Sequence, residues 1–201
     1  MPVLENTKQT KNWFNSDEQF NQVYAPSIRL LAQKHWTPLV VARKAANFLT
    51  AENHVRILDI GSGVGKFCLA AAHYRPLACY YGIEQRKSLV SHAEKAQCTL
   101  DIHNVSFING NFTQLDFKNY DHFYFYNAFY ENLRGTEKID DSIDYSGELF
   151  NYYNRYLYKL LDQKPAGTRV ASFHSLEDEM PPGYHIVGVE MDNLLKFWIK
   201  I

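Results

Sequence analysis

The sequence predicts an α/β protein whose seven-stranded sheet is mostly parallel and ends in an antiparallel strand. From residue 55 onward, short apolar segments typical of strands alternate with segments whose apolar residues repeat at helical spacing. This alternation indicates parallel strands joined by right-handed helical crossovers. The last two strand segments are separated only by residues 191–193, a link that makes a hairpin but is too short for a parallel crossover. The last strand is therefore expected to run antiparallel to the others.

Three helices are predicted before the sheet begins. Ser16, followed three residues later by Gln19, has the pattern of a helix N-cap. Proline favours the first turn of a helix, so a second helix is expected to run from Pro26 to Trp36. A third is expected to begin at Pro38.

The sequence predicts a helical cap at residues 1–50 and a ligand-binding domain at residues 51–201. The predicted strands span residues 55–60, 78–83, 105–110, 121–128, 168–174, 184–190 and 194–201. The predicted helices of the domain span residues 66–74, 87–97 and 146–163, and a short link around 113–119 stands in place of one crossover helix.

The composition narrows the classes of function. The chain of 201 residues carries 21 basic and 22 acidic residues, so no global positive field draws it to nucleic acid. Its three cysteines include no CxxC pair, which argues against a metal site or a disulfide framework and favours thiols in a reducing cytoplasm. The start lacks the apolar core of a signal peptide, and no apolar run reaches the roughly 18 residues that cross a membrane.

A glycine-rich turn follows the first predicted strand. In "VRILDIGSGVGKF" the glycines are Gly61, Gly63 and Gly65, at alternate positions. A bare backbone between a strand and a helix lets a ligand approach closely, and the helix N-terminus favours negative groups. The dinucleotide fingerprint GxGxxG requires a glycine where Lys66 stands, which argues against NAD. The alternative is a tight turn without a ligand.

A carboxylate at the end of the second predicted strand points to a nucleoside cofactor. Glu84 follows Asp59 by about 25 residues, the separation at which an acid binds both hydroxyls of a ribose. Proteins that bind different nucleoside cofactors use a carboxylate in this way, so Glu84 alone does not identify the cofactor. The alternative is a solvated glutamate on the surface.

The segment "DIGSGVGKF" resembles motif I of the class I S-adenosylmethionine (SAM) methyltransferases, including the acid before the first glycine. "INGNF" resembles that family's adenine-contact motif, and the terminal hairpin resembles the end of its sheet. The resemblance covers residues 37–201 and implies a three-layer Rossmann-like fold with SAM as the cofactor. The residues that it implies in cofactor binding are Thr37, Asp59, Gly61, Ser62, Gly63, Gly65, Glu84, Gln85, Asn111, Phe112 and Asn127.

The resemblance also implies individual roles. Asp59 and the glycine backbone would hold the amino-acid tail of SAM, and Glu84 would hold the ribose. Asn111 stands where the family commonly has an acid, and its side-chain oxygen is expected to accept a hydrogen bond from the adenine amino group while Phe112 packs on the ring. Thr37 of "HWTP" would meet the amino-acid end of the cofactor; the alternative is an ordinary helix N-cap.

The end of the fourth predicted strand is expected to face the methyl acceptor. Residues 127–130, Asn-Ala-Phe-Tyr, resemble a relaxed form of the Asn-Pro-Pro-Tyr motif of amino-methyltransferases. They also resemble the Asn-Asn-Phe segment of the non-SET histone-lysine methyltransferases of the telomeric-silencing type. The resemblance implies that Asn127 orients the acceptor nitrogen and that Phe129 and Tyr130 wall its slot. The alternatives are a strand-end turn for Asn127 and core packing for the two aromatic residues.

Three further features lie near this mouth. Residues 131–148 carry six acids and two bases, and are expected to form either a lid that attracts a Lys/Arg-rich polypeptide or a solvated loop. His174 either lines the same mouth or has a structural role. The tyrosines of residues 152–158 are expected to be half-buried packing residues.

These patterns predict a SAM-dependent methyltransferase that acts on a nitrogen, with a protein lysine or a similar side chain as the preferred acceptor. The alternatives are a small metabolite, an RNA base, or a SAM-binding regulator without catalysis. A nucleic-acid partner is disfavoured by the charge balance, and neither a metal nor a membrane is expected. The location is expected to be cytoplasmic, and the oligomeric state stays open.

Overall fold

A computed structural model describes residues 12–201; the expectations for residues 1–11 lie outside it. Seven strands form one sheet in the order β3-β2-β1-β4-β5-β7-β6. The strands are β1 Arg56–Ile60, β2 Cys79–Glu84, β3 Val105–Asn109, β4 His122–Tyr126, β5 Arg169–Phe173, β6 Tyr184–Glu190 and β7 Leu195–Lys200. Strands β1 to β5 pair in parallel, whereas β7 runs antiparallel to both β5 and β6. The predicted α/β class and the antiparallel last strand are confirmed.

The strand order creates a crevice at the carboxyl end of β1. The chain moves outward from β1 through β2 to β3 and then returns to place β4 on the other side of β1. Ligands of open α/β sheets bind where the strand order reverses in this way. β1 is also buried along nearly its whole length, as a strand covered on both faces must be.

Three helices of the domain agree closely with the sequence pattern. They are α5 Lys66–Tyr74, α6 Lys87–Leu100 and α7 Gly147–Asp162. The link between β3 and β4 is formed by two 3₁₀ turns, Phe112–Gln114 and Phe117–Asn119. The fourth strand was predicted to reach residue 128 but ends at Tyr126, because Asn127 adopts a left-handed conformation with φ of 49°.

The N-terminal helices are α1 Asp17–Asn21, α2 Pro26–Arg29, α3 Ala32–His35 and α4 Leu39–Leu49. Ser16 caps α1 as predicted, because its hydroxyl accepts a hydrogen bond from Gln19 N at 3.2 Å. The prediction of one helix from Pro26 to Trp36 is wrong. The amide of Leu31 bonds to the carbonyl of Ile28, three residues back, so the α-helical hydrogen-bond pattern breaks and two short helices result.

Asp17 links the N-terminal helices to the start of α5. Its Oδ1 accepts a hydrogen bond from Leu39 N at 3.0 Å and forms an ion pair with Lys66 Nζ at 2.5 Å. Lys66 is buried and also donates to Asn21 Oδ1 at 2.9 Å. Apolar residues of α1 and α4 share one core with β1 and α5. The N-terminal helices therefore pack directly against the sheet and α5.

Candidate functional site

A cavity of about 260 Å³ opens at the carboxyl ends of β1, β2 and β4. The residues predicted from the sequence that line it are Gly61, Gly63, Glu84, Gln85, Phe112, Asn127, Phe129 and Tyr130. A smaller polar pocket adjoins it and is lined by Thr37, Asp59, Ser62 and Lys66. The two share His35, Gly61 and Tyr126, so they form one continuous site. The structure thus brings together all the predicted site residues except Gly65 and Asn111, which line neither pocket.

The glycine turn presents bare backbone to this site. Gly61 and Gly63 have φ of 76° and 53°, a region that side chains with a Cβ rarely adopt. A Cβ built on Gly63 would meet nothing within 4 Å, so open space lies in front of it. Gly65 serves packing instead, since a Cβ there would lie 2.3 Å from Phe107 Cζ and 3.0 Å from Ala93 Cβ. The third glycine therefore allows α5 to approach the sheet and α6.

Asp59 is a buried acid with little compensation from the protein. The thiol of Cys68 donates to its Oδ2 at 3.6 Å, which is a weak interaction. Burial raises the pKa of Asp59 to about 8, and the nearby Glu84 acts in the same direction. Such a site suits a ligand that brings a positive charge, because the charge offsets the desolvation of the carboxylate.

Glu84 is held at the end of β2 by backbone donors. Its Oε2 accepts from Gly63 N at 3.2 Å, and its Oε1 accepts from Arg86 N at 2.9 Å. Burial raises the pKa of Glu84, while these hydrogen bonds and the Arg86 charge oppose the shift. A carboxylate has about four lone-pair positions, so both oxygens can still accept from ligand hydroxyls.

The side chain of Asn111 is used within the protein. Its Oδ1 accepts from Thr113 N at 3.1 Å as the cap of a 3₁₀ turn. Its Nδ2 donates to Gln85 Oε1 at 3.2 Å and to Tyr153 OH at 2.9 Å. The predicted adenine contact through Asn111 Oδ1 is not favoured by this arrangement, because that oxygen already caps the turn. Asn111 instead orients two residues that do line the cavity, Gln85 and Tyr153.

Phe112 and Phe129 stack across the cavity wall. Their ring centroids lie 5.1 Å apart at an interplanar angle of 28°, and Tyr153 contacts both rings. Phe129 thus packs in the core and also lines the site. Core packing and a place in the wall of the site therefore do not exclude each other for this residue. Tyr130 is different, since about half of its surface is exposed at the mouth.

Thr37 does not cap α4. Its hydroxyl lies 3.0 Å from Tyr124 OH, and the first free amide of the helix, Leu39 N, donates to Asp17 instead. The alternative of an ordinary N-cap is therefore wrong, and Thr37 remains in the polar pocket beside Asp59. His174 does not line either pocket, although its ring lies 5.4 Å from that of Tyr126.

Arg86 is a site residue that the sequence pattern did not reveal. Its side chain is 4% exposed and pairs with Glu84, Glu131 and Asp140. Arginine is rarely buried, so a pattern that assigns charged residues to the surface overlooks it. The signal that could have found it was its place directly after Glu84 and Gln85, together with a downstream segment rich in acids.

The described residues show neither a metal centre nor a membrane span. Within residues 12–201, no group of three or more His, Cys, Asp or Glu side chains is placed to hold a metal ion. Among the helices of the same residues, none combines the length and apolar character needed to cross a membrane.

Comparison with known proteins identifies the domain. Residues 51–140 match the model of a family described as a methyltransferase domain. An RNA methyltransferase from Salinibacter ruber in complex with S-adenosyl-L-homocysteine superposes with a TM-score of 0.60 at 20% identity, over 82% of this chain and 93% of that one. TrmN from Thermus thermophilus superposes with a TM-score of 0.60 at 18% identity, over 87% of this chain and 52% of TrmN, about half its length.

A third solved methyltransferase structure is similar in fold to this chain. Precorrin-6y C5,15-methyltransferase from Geobacter metallireducens GS-15 superposes with a TM-score of 0.55 at 12% identity, over 85% of this chain and 92% of that one. At these identities the likeness shows the fold, the Rossmann-like sheet of methyltransferases. No curated protein matches the chain by sequence.

The site fits the cofactor of this class. Asp59 is a buried acid that pairs with no cation among residues 12–201, Gly63 leaves open space, and Glu84 stands at the end of β2. These are the acceptors and the bare backbone that an ammonium group and a ribose require. With the matched domain, they define the protein as a SAM-dependent methyltransferase whose cofactor is SAM.

Proposed function

We propose that the enzyme transfers the methyl group to the nitrogen of an amine, with a protein lysine or a similar side chain as acceptor. The observation that carries the proposal is the position of residues 127–130 between two pockets. Asn127, Phe129 and Tyr130 line the cofactor cavity on one side and a second small pocket on the other. An acceptor that enters from the side of the second pocket would reach the methyl donor beside this segment.

The second pocket combines apolar walls with one half-buried acid. Phe125, Phe150 and Leu157 supply apolar surface, and Glu179 supplies a carboxylate. Glu179 Oε2 accepts from Leu176 N at 2.9 Å, and burial raises the pKa of this acid above its ordinary value. A carboxylate in such surroundings attracts a cation and is also a better base than an exposed one.

The proposed mechanism assigns one role to each residue at this segment. SAM, when bound, supplies an electrophilic methyl group on its sulfonium. A protonated amine has no free lone pair, so Glu179 accepts the proton from the acceptor ammonium. Asn127 Oδ1 then accepts a hydrogen bond from the remaining N–H and aims the lone pair, while Phe129 and Tyr130 exclude water from the slot.

The geometry of the continuous site supports the following proposed cofactor contacts. Asp59 would pair with the α-ammonium group, with Thr37 and Ser62 beside it in the polar pocket. Glu84 would accept hydrogen bonds from the ribose hydroxyls. Phe112 would pack against the adenine ring, with Gln85 at its edge.

The surroundings of the mouth support a cationic acceptor over a nucleic acid. Glu177 and Asp178 are exposed beside the second pocket, and Asp141, Asp144 and Glu148 are exposed on the segment that follows β4. Such groups repel phosphates and attract amines.

We also propose a cellular location and a division of the chain. The free thiols of Cys68, Cys79 and Cys98 support a cytoplasmic location, because disulfides are rare in that compartment. The division into a cap and a domain at residue 51 is likewise proposed, and the change from helices alone to alternating strands and helices supports it.

A second candidate is methylation of an RNA base or a small metabolite. Its support is the likeness to structures described as an RNA methyltransferase and as precorrin-6y C5,15-methyltransferase. At 20% and 12% identity this likeness concerns the fold, so the acceptor of this chain is decided by its own site.

Labelled SAM tests these candidates. The enzyme is incubated with methyl-labelled SAM and an extract from cells that lack it, and the extract is then separated into protein, RNA and small-molecule fractions. Label on lysine in the protein fraction supports the proposal, whereas label in RNA or small molecules favours the second candidate. SAM binding without label in any fraction would indicate a SAM-binding regulator without catalysis. The Asn127→Gly variant serves as the control for enzyme-dependent label.

A further inference from the structure

The side chain of Arg86 is buried at the edge of the cofactor cavity. Its Nη2 lies 2.7 Å from Glu131 Oε2, its Nε lies 3.1 Å from Asp140 Oδ1, and its Nη1 lies 3.5 Å from Glu84 Oε1. Taking a guanidinium group out of water is costly unless such partners surround it. A surface arginine would have avoided that cost, so the burial points to a role that requires the charge at this place.

Two of the three acids belong to the segment of residues 131–145, here called the cover. The cover is built around Arg86: Glu131 Oε2 also accepts from Ile139 N at 3.0 Å and lies 3.1 Å from Tyr145 OH. The Arg86 guanidinium also donates to Tyr145 OH. Glu131 and Tyr145, at the two ends of the cover, thus both contact Arg86, which lies outside the cover.

The cover forms part of the wall of the cofactor cavity. Glu131, Ile139, Ile143 and Tyr145 all line this cavity, as the glycine turn does. Arg86 therefore contacts both the acid proposed to bind the ribose and the segment that encloses the same space. Loss of Arg86 would leave Glu84, Glu131 and Asp140 close together without the cation that they share.

We propose that Arg86 is a positioning residue for the cofactor: it fixes the Glu84 carboxylate and fastens the cover as one wall of the cavity. The inference rests on Glu84 as the ribose ligand and is independent of the acceptor. Cofactor binding and closure of the cover are then coupled, because both use the same guanidinium group.

The outer edge of the cover is held much more weakly. Lys34 of α3 pairs with Glu137 across the mouth, and both side chains are more than half exposed. Exposed pairs of this kind contribute little to stability. The cover therefore has a firm attachment at Arg86 and a weak one at the mouth, so its outer edge opens first to admit the cofactor.

The test compares Arg86→Met with Arg56→Met. Both changes remove an arginine that pairs with acid, but Arg56 pairs with Asp121 at the opposite end of β1. SAM affinity is measured by calorimetry, and trypsin cleavage after Lys138 within the cover is followed with and without S-adenosyl-L-homocysteine. Circular dichroism establishes that each variant is folded.

Arg86→Met is expected to weaken SAM affinity by about ten-fold or more and to speed cleavage after Lys138, with loss of protection by the ligand. Arg56→Met is expected to change affinity by less than about two-fold. Arg86→Lys should restore part of the affinity, because lysine keeps the positive charge but lacks the branched guanidinium group that contacts several acids at once. Unchanged affinity in folded Arg86→Met, or faster cleavage without any loss of affinity, overturns the proposal.

If Arg86→Met does not fold, Glu131→Gln and Asp140→Asn replace it. Each variant removes one ion pair between Arg86 and the cover, while the ion pair between Arg86 and Glu84 is kept. Each is expected to speed cleavage after Lys138 and to weaken SAM affinity by about three-fold or more, and normal values of both overturn the proposal. Failure of the wild-type protein to bind SAM would instead contradict the cofactor site itself, and methylation of an acceptor other than an amine would leave the role of Arg86 intact.

Discussion

The side chain of Asp59, which lines the polar pocket, lies 3.6 Å from the thiol of the buried Cys68. The thiol is a weak donor, so it stabilises the ionised carboxylate only slightly. Burial raises the pKa of both groups, to about 8 for Asp59. The acid that would hold the cofactor's ammonium group is therefore largely protonated at neutral pH until the ligand arrives.

SAM affinity is expected to rise as the pH increases toward about 8. Pairing with an ammonium group requires ionised Asp59, so binding below that pH releases a proton. An α-amino group has a pKa of about 7.7–8.0, so the affinity stops rising once the cofactor begins to lose its own charge. Calorimetry between about pH 6 and about pH 9 measures the profile.

Asp59→Asn is the matched variant for this profile. Asparagine has the shape of aspartate but does not titrate. The SAM affinity of the variant should therefore be lower near pH 8 and should lack the acidic limb, which is the fall in affinity as the pH is lowered. In the free protein the sign is opposite. A carboxyl whose folded pKa exceeds its unfolded value of 3.8 contributes stability at low pH, and this contribution is lost as the pH rises toward about 8. An acidic limb that persists in Asp59→Asn would contradict the assignment.

Thermal unfolding tests the ribose contact of Glu84. SAM at about 100 times its Kd should stabilise the folded protein by about 2.7 kcal/mol and raise its Tm, whereas NAD should not. Glu84→Ala should reduce the shift with SAM, because it removes the acceptor of the ribose hydroxyls. The same shift in Glu84→Ala would mean that the ribose binds elsewhere.

The sheet was predictable from the sequence because its signals are local. The three-residue link at 191–193 allows only a hairpin, and helical spacing located α5 and α7 to within one residue at each end. The segment from Pro26 to Trp36 was wrongly predicted because its composition favours a helix throughout. Its break at Leu31 is seen only in the folded chain, where the Leu31 amide bonds three residues back and both Ile28 and Leu31 pack against the core.

The site was predicted less completely than the fold, for physical reasons. Asp59 and Glu84 lie at the carboxyl ends of β1 and β2, and Gly63 follows β1, so their meeting at one edge of the sheet was foreseeable. Asn111 was assigned to the adenine from its position, yet its oxygen caps a turn that only the folded chain shows. Arg86 was missed because two of its three acidic partners lie about 50 residues downstream.

Gly65 and Gly63 should respond differently to substitution by alanine. Gly65→Ala combines a left-handed backbone with a Cβ 2.3 Å from Phe107 Cζ, so we expect a loss of about 3 kcal/mol in the free energy of unfolding. Gly63→Ala meets open space and should cost only about 1 kcal/mol, but its methyl group would enter the cofactor's volume. Urea unfolding and SAM calorimetry measure the two effects. Equal losses of stability would contradict the different roles.

Asn127 should affect turnover without affecting SAM binding. Because Asn127 has φ of 49°, alanine there would add backbone strain, whereas Asn127→Gly removes the side chain and keeps the conformation. We expect Asn127→Gly to lower kcat by about a hundred-fold and to leave the Kd for SAM nearly unchanged, since in the proposed mechanism the side chain aims the acceptor. Single-turnover methylation and calorimetry provide the two values. Normal turnover would mean that Asn127 serves only the strand-end turn.

Glu179 should govern the pH dependence of turnover. Because burial raises its pKa, the rate is expected to fall as the medium is acidified through a pH above the ordinary range of glutamate. Glu179→Gln should lower kcat by about a hundred-fold and abolish this acidic limb, because glutamine cannot accept the proton of the acceptor ammonium. Glu94→Gln, at an exposed acid on α6 away from the pockets, is the control and should keep both the rate and the limb. Retention of the limb in Glu179→Gln would show that another group deprotonates the acceptor.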